Sequence, residues 1–155
     1  MDELALYLHL VGVAALFSGL AVAGASFELA RRRQRPSEVA LLLAGARIAL
    51  GLLAGGLLLT VASGLWLVHL EGLGYGRGWI ALAMALLVLA LVLGALGGQP
   101  AKRARLLAIG LASEGDRGSD ELRRLLDDRL GRALNWLSTA AMLTVMALMV
   151  WKPGL

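Results

Sequence analysis

The sequence predicts an all-α fold, a bundle of four transmembrane helices, and three observations carry that prediction. Of its 155 residues 59% are hydrophobic and the mean hydropathy is +0.76, which is more apolar surface than a water-soluble chain of this length buries. Charged residues are absent from four stretches, 4–27, 48–70, 78–101 and 133–151. Each is about 19 to 24 residues, or about 28 to 36 Å of helix, which matches the ~30 Å hydrocarbon core of a bilayer. Finally, the stretches lack the period-two alternation and ~10-residue length of a barrel strand, which leaves helices as the way to satisfy the backbone in lipid. The whole chain, 1–155, reads as one integral membrane domain.

Helix 1 is expected over about 4–30. Ala23-Gly24-Ala25 resembles a signal-peptide cleavage site, but Asp2 and Glu3 stand where a positive leader would be and the apolar run is too long for one. Helix 2 is expected over about 38–71, with Arg47 near one end, where it reaches headgroups or pairs with Glu38 or Glu28. Helix 3 is expected over about 78–99 and helix 4 over about 120–151. Small residues recur every fourth position at Ala15, Gly19 and Ala23, at Gly51 and Gly55, and at Gly94 and Gly98, a spacing that lets helix backbones approach closely. Helix 4 begins as an amphipathic segment: Ser119 caps it, Asp120 and Glu121 fill its first turn, and Leu122, Leu125, Leu126 and Leu130 share a face. Such a segment lies against headgroups or docks a partner. Glu114 to Gly118 forms the turn before it.

Orientation follows from the cations. Arg31, Arg32, Arg33 and Arg35 in the first loop and Lys102, Arg103, Arg105, Arg117, Arg123, Arg124, Arg129 and Arg132 in the third face only Arg77 and Lys152 on the opposite side. The positive-inside rule therefore predicts an N-out/C-out membrane protein, its amphipathic segment cytoplasmic. Tyr7, Trp66, Tyr75, Trp79 and Trp151 make an outer aromatic belt, and Trp136 marks the inner interface. The net charge of +4 is thus a matter of topology and anionic lipid, with no nucleic acid implied.

Few residues carry chemistry. Cysteine is absent, which excludes disulfides, thiolate metal sites and cysteine nucleophiles. No Gly-rich phosphate loop, zinc-binding helix motif or nucleophile elbow occurs. The spans also lack the charged or broken midplane elements of carriers. The two histidines, His9 and His69, are expected at one depth near the outer surface, where imidazoles suit haem iron or, with methionine, copper. On the haem reading Gly12 leaves room for the macrocycle and Arg77 and Lys152 pair with propionates. On the copper reading the histidines join Met146 and Met149 of helix 4, Met142 continuing the same stripe and Met84 lying in helix 3. The plainer alternatives are methionines as core packing, His69 as an interfacial polar residue beside Glu71, and His9 as a packed residue bonded to a neighbouring carbonyl or hydroxyl.

The ending Met149-Val150-Trp151-Lys152-Pro153, with Leu8-His9-Leu10-Val11-Gly12, Ser63-Gly64-Leu65-Trp66-Leu67, Gly74-Tyr75-Gly76 and Trp79, resembles a bacterial family of predicted integral membrane proteins, domain of unknown function 2269. That family is similar in layout to copper-resistance D membrane proteins and to J-type protoporphyrinogen oxidases. In the latter, a helix 1 histidine tied to haem corresponds to His9, and a lysine near a terminal Lys-Pro corresponds to Lys152. The resemblance implies haem b binding. It does not extend to the polar residues expected after that histidine, since 14–25 is almost wholly small or apolar. Two readings follow: a redox-linked protein holding haem or copper at its outer side, or an accessory or structural subunit with no cofactor. Either is compatible with a homo-oligomer or a larger membrane complex.

Overall fold

The computed structural model describes residues 2–70, 72 and 78–151, and these are built from helices: α1 (Asp2–Arg31), α2 (Pro36–Leu70), α3 (Gly78–Gly97), α4 (Gln99–Ser113), α5 (Asp120–Leu126) and α6 (Arg129–Trp151). Four stretches among them, Glu3–Arg31, Pro36–Leu70, Gly78–Ser113 and Asp120–Trp151, are long and apolar enough to cross a membrane. The third polar segment, expected as a loop up to the turn at Glu114, is largely helical. Pro100 offers no amide hydrogen to the Leu96 carbonyl, so α3 ends near Gly97 and the chain resumes helix as α4. The expected continuous helix over 120–151 is two helices. Asp128 interrupts it because its carboxylate accepts from the Gly131 N–H at 2.9 Å, capping α6.

The helices form two antiparallel hairpins, α1 with α2 and α3 with α6. In the first, His9 lies against Gly64, Gly12 against Thr60, Leu16 against Gly56, Gly19 against Leu53 and Ser26 against Gly45. That register is set by glycine: a Cβ on Gly56 would sit 2.6 Å from the Leu16 backbone nitrogen, and one on Gly12 would sit 2.7 Å from Thr60 N. The expected pair Gly51 and Gly55 has nothing within 4 Å of either added Cβ, so the close approach uses the next glycine along. The second hairpin is joined by Ser138 Oγ donating to the Ala90 carbonyl at 2.7 Å and Asn135 Nδ2 donating to the Gly97 carbonyl at 3.1 Å. Leu16, Ala90 and Met142 are the buried residues where the hairpins meet.

At the basic end the chain builds a second core, in which Leu122 and Leu126 of α5 pack with Ala104 and Ala108 of α4, Ala30 of α1 and Val39 and Leu43 of α2. Ser119 caps α5 through a 3.1 Å bond from Leu122 N, as its sequence suggests. Its leucines face the helix ends of the same chain, except that Leu130, expected on that face, is exposed on α6. Arg123 donates to the carbonyls of Arg31, the last residue of α1, and of Arg33 just beyond it, and Arg31 pairs with Asp127 at 3.0 Å and Glu28 at 3.2 Å. Arg47 is exposed; Glu38 pairs with Arg33 and Glu28 with Arg31 and Arg32 instead.

Candidate functional site

His9 is an imidazole inside an apolar span, and a polar side chain there must find a partner on a neighbouring helix. The glycine-lined register supplies one. His9 Nδ1 lies 2.9 Å from the Thr60 carbonyl oxygen, which only accepts, so the proton is on Nδ1 and Nε2 carries the lone pair. The ring sits over Gly64, where an added Cβ would be 3.1 Å from Cε1. Ser63 Oγ donates to the Leu59 carbonyl and lies 3.5 Å from Nδ1. Among the described residues Nε2 has no hydrogen-bond partner.

The structure does not bring His69 to this place. With His9 opposite Gly64 and Gly12 opposite Thr60, the antiparallel register sets His69 level with Glu3, six residues and about 9 Å along the axis from His9. At 100° per residue His69 is also on the side of α2 opposite Thr60, and it is exposed. This offset arises because glycine packing, not helix length, sets the register between α1 and α2. Arg77, Lys152, Glu71 and Tyr75 lie outside the described residues.

Met146 and Met149 do not contact the His9 hydrogen bond but share a neighbour with it, Thr60. With Met142 they line a narrow apolar cleft of about 40 Å³ between the hairpins, shared with Leu16, Phe17 and Thr60. Thr60 Oγ1 is buried there without a hydrogen-bond partner. Among the described residues no group of three or more His, Cys, Asp or Glu is placed to hold a metal ion.

Among the described residues the packing beside Gly12 leaves no room for a macrocycle. The space expected beside Gly12 is filled by Thr60, whose Oγ1 would be 2.7 Å from a Cβ on Gly12. The cleft between the hairpins has room for only a water or two, against the several hundred Å³ of ordinary cofactor pockets. What the residues build is an interhelical hydrogen bond inside the membrane. Sequence reasoning found His9, and named Ser63 and Gly64 only as part of a family-like segment, but missed Thr60, because a backbone acceptor leaves no mark in a sequence.

A chain of long apolar helices paired by close glycine contacts and a buried polar clasp is a multi-pass α-helical membrane protein. More particularly, residues 3–153 match the family described as predicted integral membrane protein (DUF2269), and the chain belongs to that family. No curated protein and no solved structure matches it.

Proposed function

We propose that the chain is a non-enzymatic accessory or structural subunit of a complex in the bacterial inner membrane, with both termini outside and its basic end in the cytoplasm. The observation that carries this reading is the use of His9: this histidine, buried within a span, holds α1 to α2 through the Thr60 carbonyl. Support for the orientation is the twelve basic residues of the first and third polar segments against two on the other side. The outward faces of α3 and α6, with Val88, Leu89, Val92, Leu143 and Val150 exposed, are apolar enough for lipid or another membrane helix.

The test is a visible absorption spectrum and metal analysis of the purified protein, with native electrophoresis of mild-detergent extracts. No Soret band, no stoichiometric copper and migration above the mass of the chain are expected, and mixing two differently tagged copies distinguishes a homo-oligomer from a complex with other proteins. A Soret band lost in His9→Ala would replace this reading with haem binding at Nε2, the nitrogen the Thr60 bond leaves open. Stoichiometric copper lost in Met146→Leu/Met149→Leu would replace it with copper handling at the cleft those thioethers line.

A further inference from the structure

Where α3 gives way to α4 and α5 gives way to α6, the basic end carries an open cleft of about 580 Å³. Its floor is apolar: Leu96, Pro100 and Leu134 line it, with Leu125 and Leu130. Leu96 and Leu130 are 50% and 69% exposed, so the floor continues into the outward surface of the spans. Because α3 has 20 residues, about 30 Å, and ends beside the cleft, the cleft sits at the boundary between hydrocarbon and headgroups.

Its rim carries charge of both signs. Arg103 of α4 and Arg124 of α5 line it together with Glu121 and Asp128. Asp128 is engaged in capping α6 through the Gly131 N–H. Among the described residues none of Arg103, Arg124 and Glu121 forms an ion pair, although Glu121 and Arg124 are three apart on one short helix. Two guanidiniums and one carboxylate are therefore open above an apolar floor.

We infer that this cleft binds one phospholipid bearing a primary ammonium, a phosphoethanolamine headgroup. Its phosphodiester is held by Arg103 and Arg124, since guanidinium presents paired donors to phosphate oxygens. Its ammonium donates to Glu121, and its acyl chains follow the leucine floor into the bilayer. A choline headgroup has no N–H to donate to the carboxylate. A glycerol headgroup offers Glu121 only neutral hydroxyls, with no positive charge to offset the carboxylate.

The test uses the full chain in nanodiscs of equal phosphatidylethanolamine, phosphatidylcholine and phosphatidylglycerol with identical acyl chains, and native mass spectrometry counts the lipids retained after release. Wild type is expected to keep phosphatidylethanolamine in preference to both others. Arg103→Gln/Arg124→Gln is expected to lower retention of all three roughly thirtyfold. Arg32→Gln/Arg117→Gln, which removes equal charge from exposed positions that do not line the cleft, is expected to change nothing. Glu121→Gln should keep retention while making phosphatidylethanolamine and phosphatidylcholine equal, an outcome that a misfolded variant does not produce. Equal or greater retention of phosphatidylglycerol in wild type, an unchanged Arg103→Gln/Arg124→Gln variant, or equal loss in Arg32→Gln/Arg117→Gln would overturn the assignment.

Discussion

His9 shows how a residue's type can mark it out while its role depends on a neighbour 51 positions away. An imidazole in hydrocarbon needs a partner, and the Thr60 carbonyl provides it without giving up its place in α2. Interhelical polar bonds in membranes are worth ~0.6 kcal/mol on average and ~2 at most. His9→Ala is therefore expected to lower stability by about 1 kcal/mol, seen as a lower thermal midpoint in detergent; equal stability would remove the clasp. A second residue acts at the opposite end. Asp116, at φ 57°, turns its carboxylate onto the start of α2, accepting from Ser37 Oγ and Ser37 N–H, each at 2.7 Å. The Ser37 hydroxyl first, then its amide, holds the Asp116 carboxyl below its usual pKa of 3.8, with burial opposing weakly and Arg35 assisting. A depressed folded-state pKa contributes stability that is complete above the unfolded value and disappears as pH falls through the folded one. Melting curves of wild type and Asp116→Asn, a residue that tolerates the same backbone region, should differ most at pH 5 to 7. The gap should begin to narrow below about pH 4 and close as pH falls through the lowered folded-state value. A gap that stays constant with pH would mean that the carboxylate charge is irrelevant to the contact.

At the scale of the elements, glycine decides which helix faces meet. Gly12→Ala and Gly56→Ala drive a methyl into the facing backbone, at 2.7 and 2.6 Å, and each should cost about 1 to 3 kcal/mol. Gly51→Ala and Gly55→Ala meet nothing within 4 Å and should leave stability unchanged or slightly raised, since alanine favours helix. Thermal midpoints of the four variants check this, and destabilisation by Gly51→Ala matching that by Gly12→Ala would mean a different face is buried. The sequence showed that small residues recur at helical spacing in helices 1, 2 and 3. It did not show which recurrence was used, because a chain with 20 glycines offers several equivalent faces. Likewise the cap at Ser119 was legible, whereas the separation of α5 from α6 depended on Asp128 reaching Gly131, a contact as local as the first but competing with a continuous helical pattern.

For the whole molecule, the two hairpins and the basic core divide the labour: the hairpins cross the bilayer and the core ties the polar segments to the ends of α1 and α2. Charge distribution predicts which side each occupies. Single cysteines at Gly74 and Gly154 should react with a membrane-impermeant reagent in intact cells, and one at Ser113 should react only after permeabilisation. Ser113 is chosen over Gly115, whose φ of 111° a cysteine would strain. Labelling of Ser113→Cys in intact cells would invert the topology.

By itself, the sequence determined that this is a four-span helical membrane protein, because hydropathy and helix length answer to the bilayer and need no knowledge of neighbours. It determined the polar candidates for the same reason: an imidazole stands out against 24 uncharged residues. Only the tertiary structure decided that His9 meets the Thr60 carbonyl, that His69 is about 9 Å away along the axis and turned outward, and that Met146 and Met149 line a cleft between the hairpins. Those outcomes depend on the register between α1 and α2. Register is a property of two surfaces in contact, chosen where glycine lets backbones come closest, and no single stretch of sequence contains it.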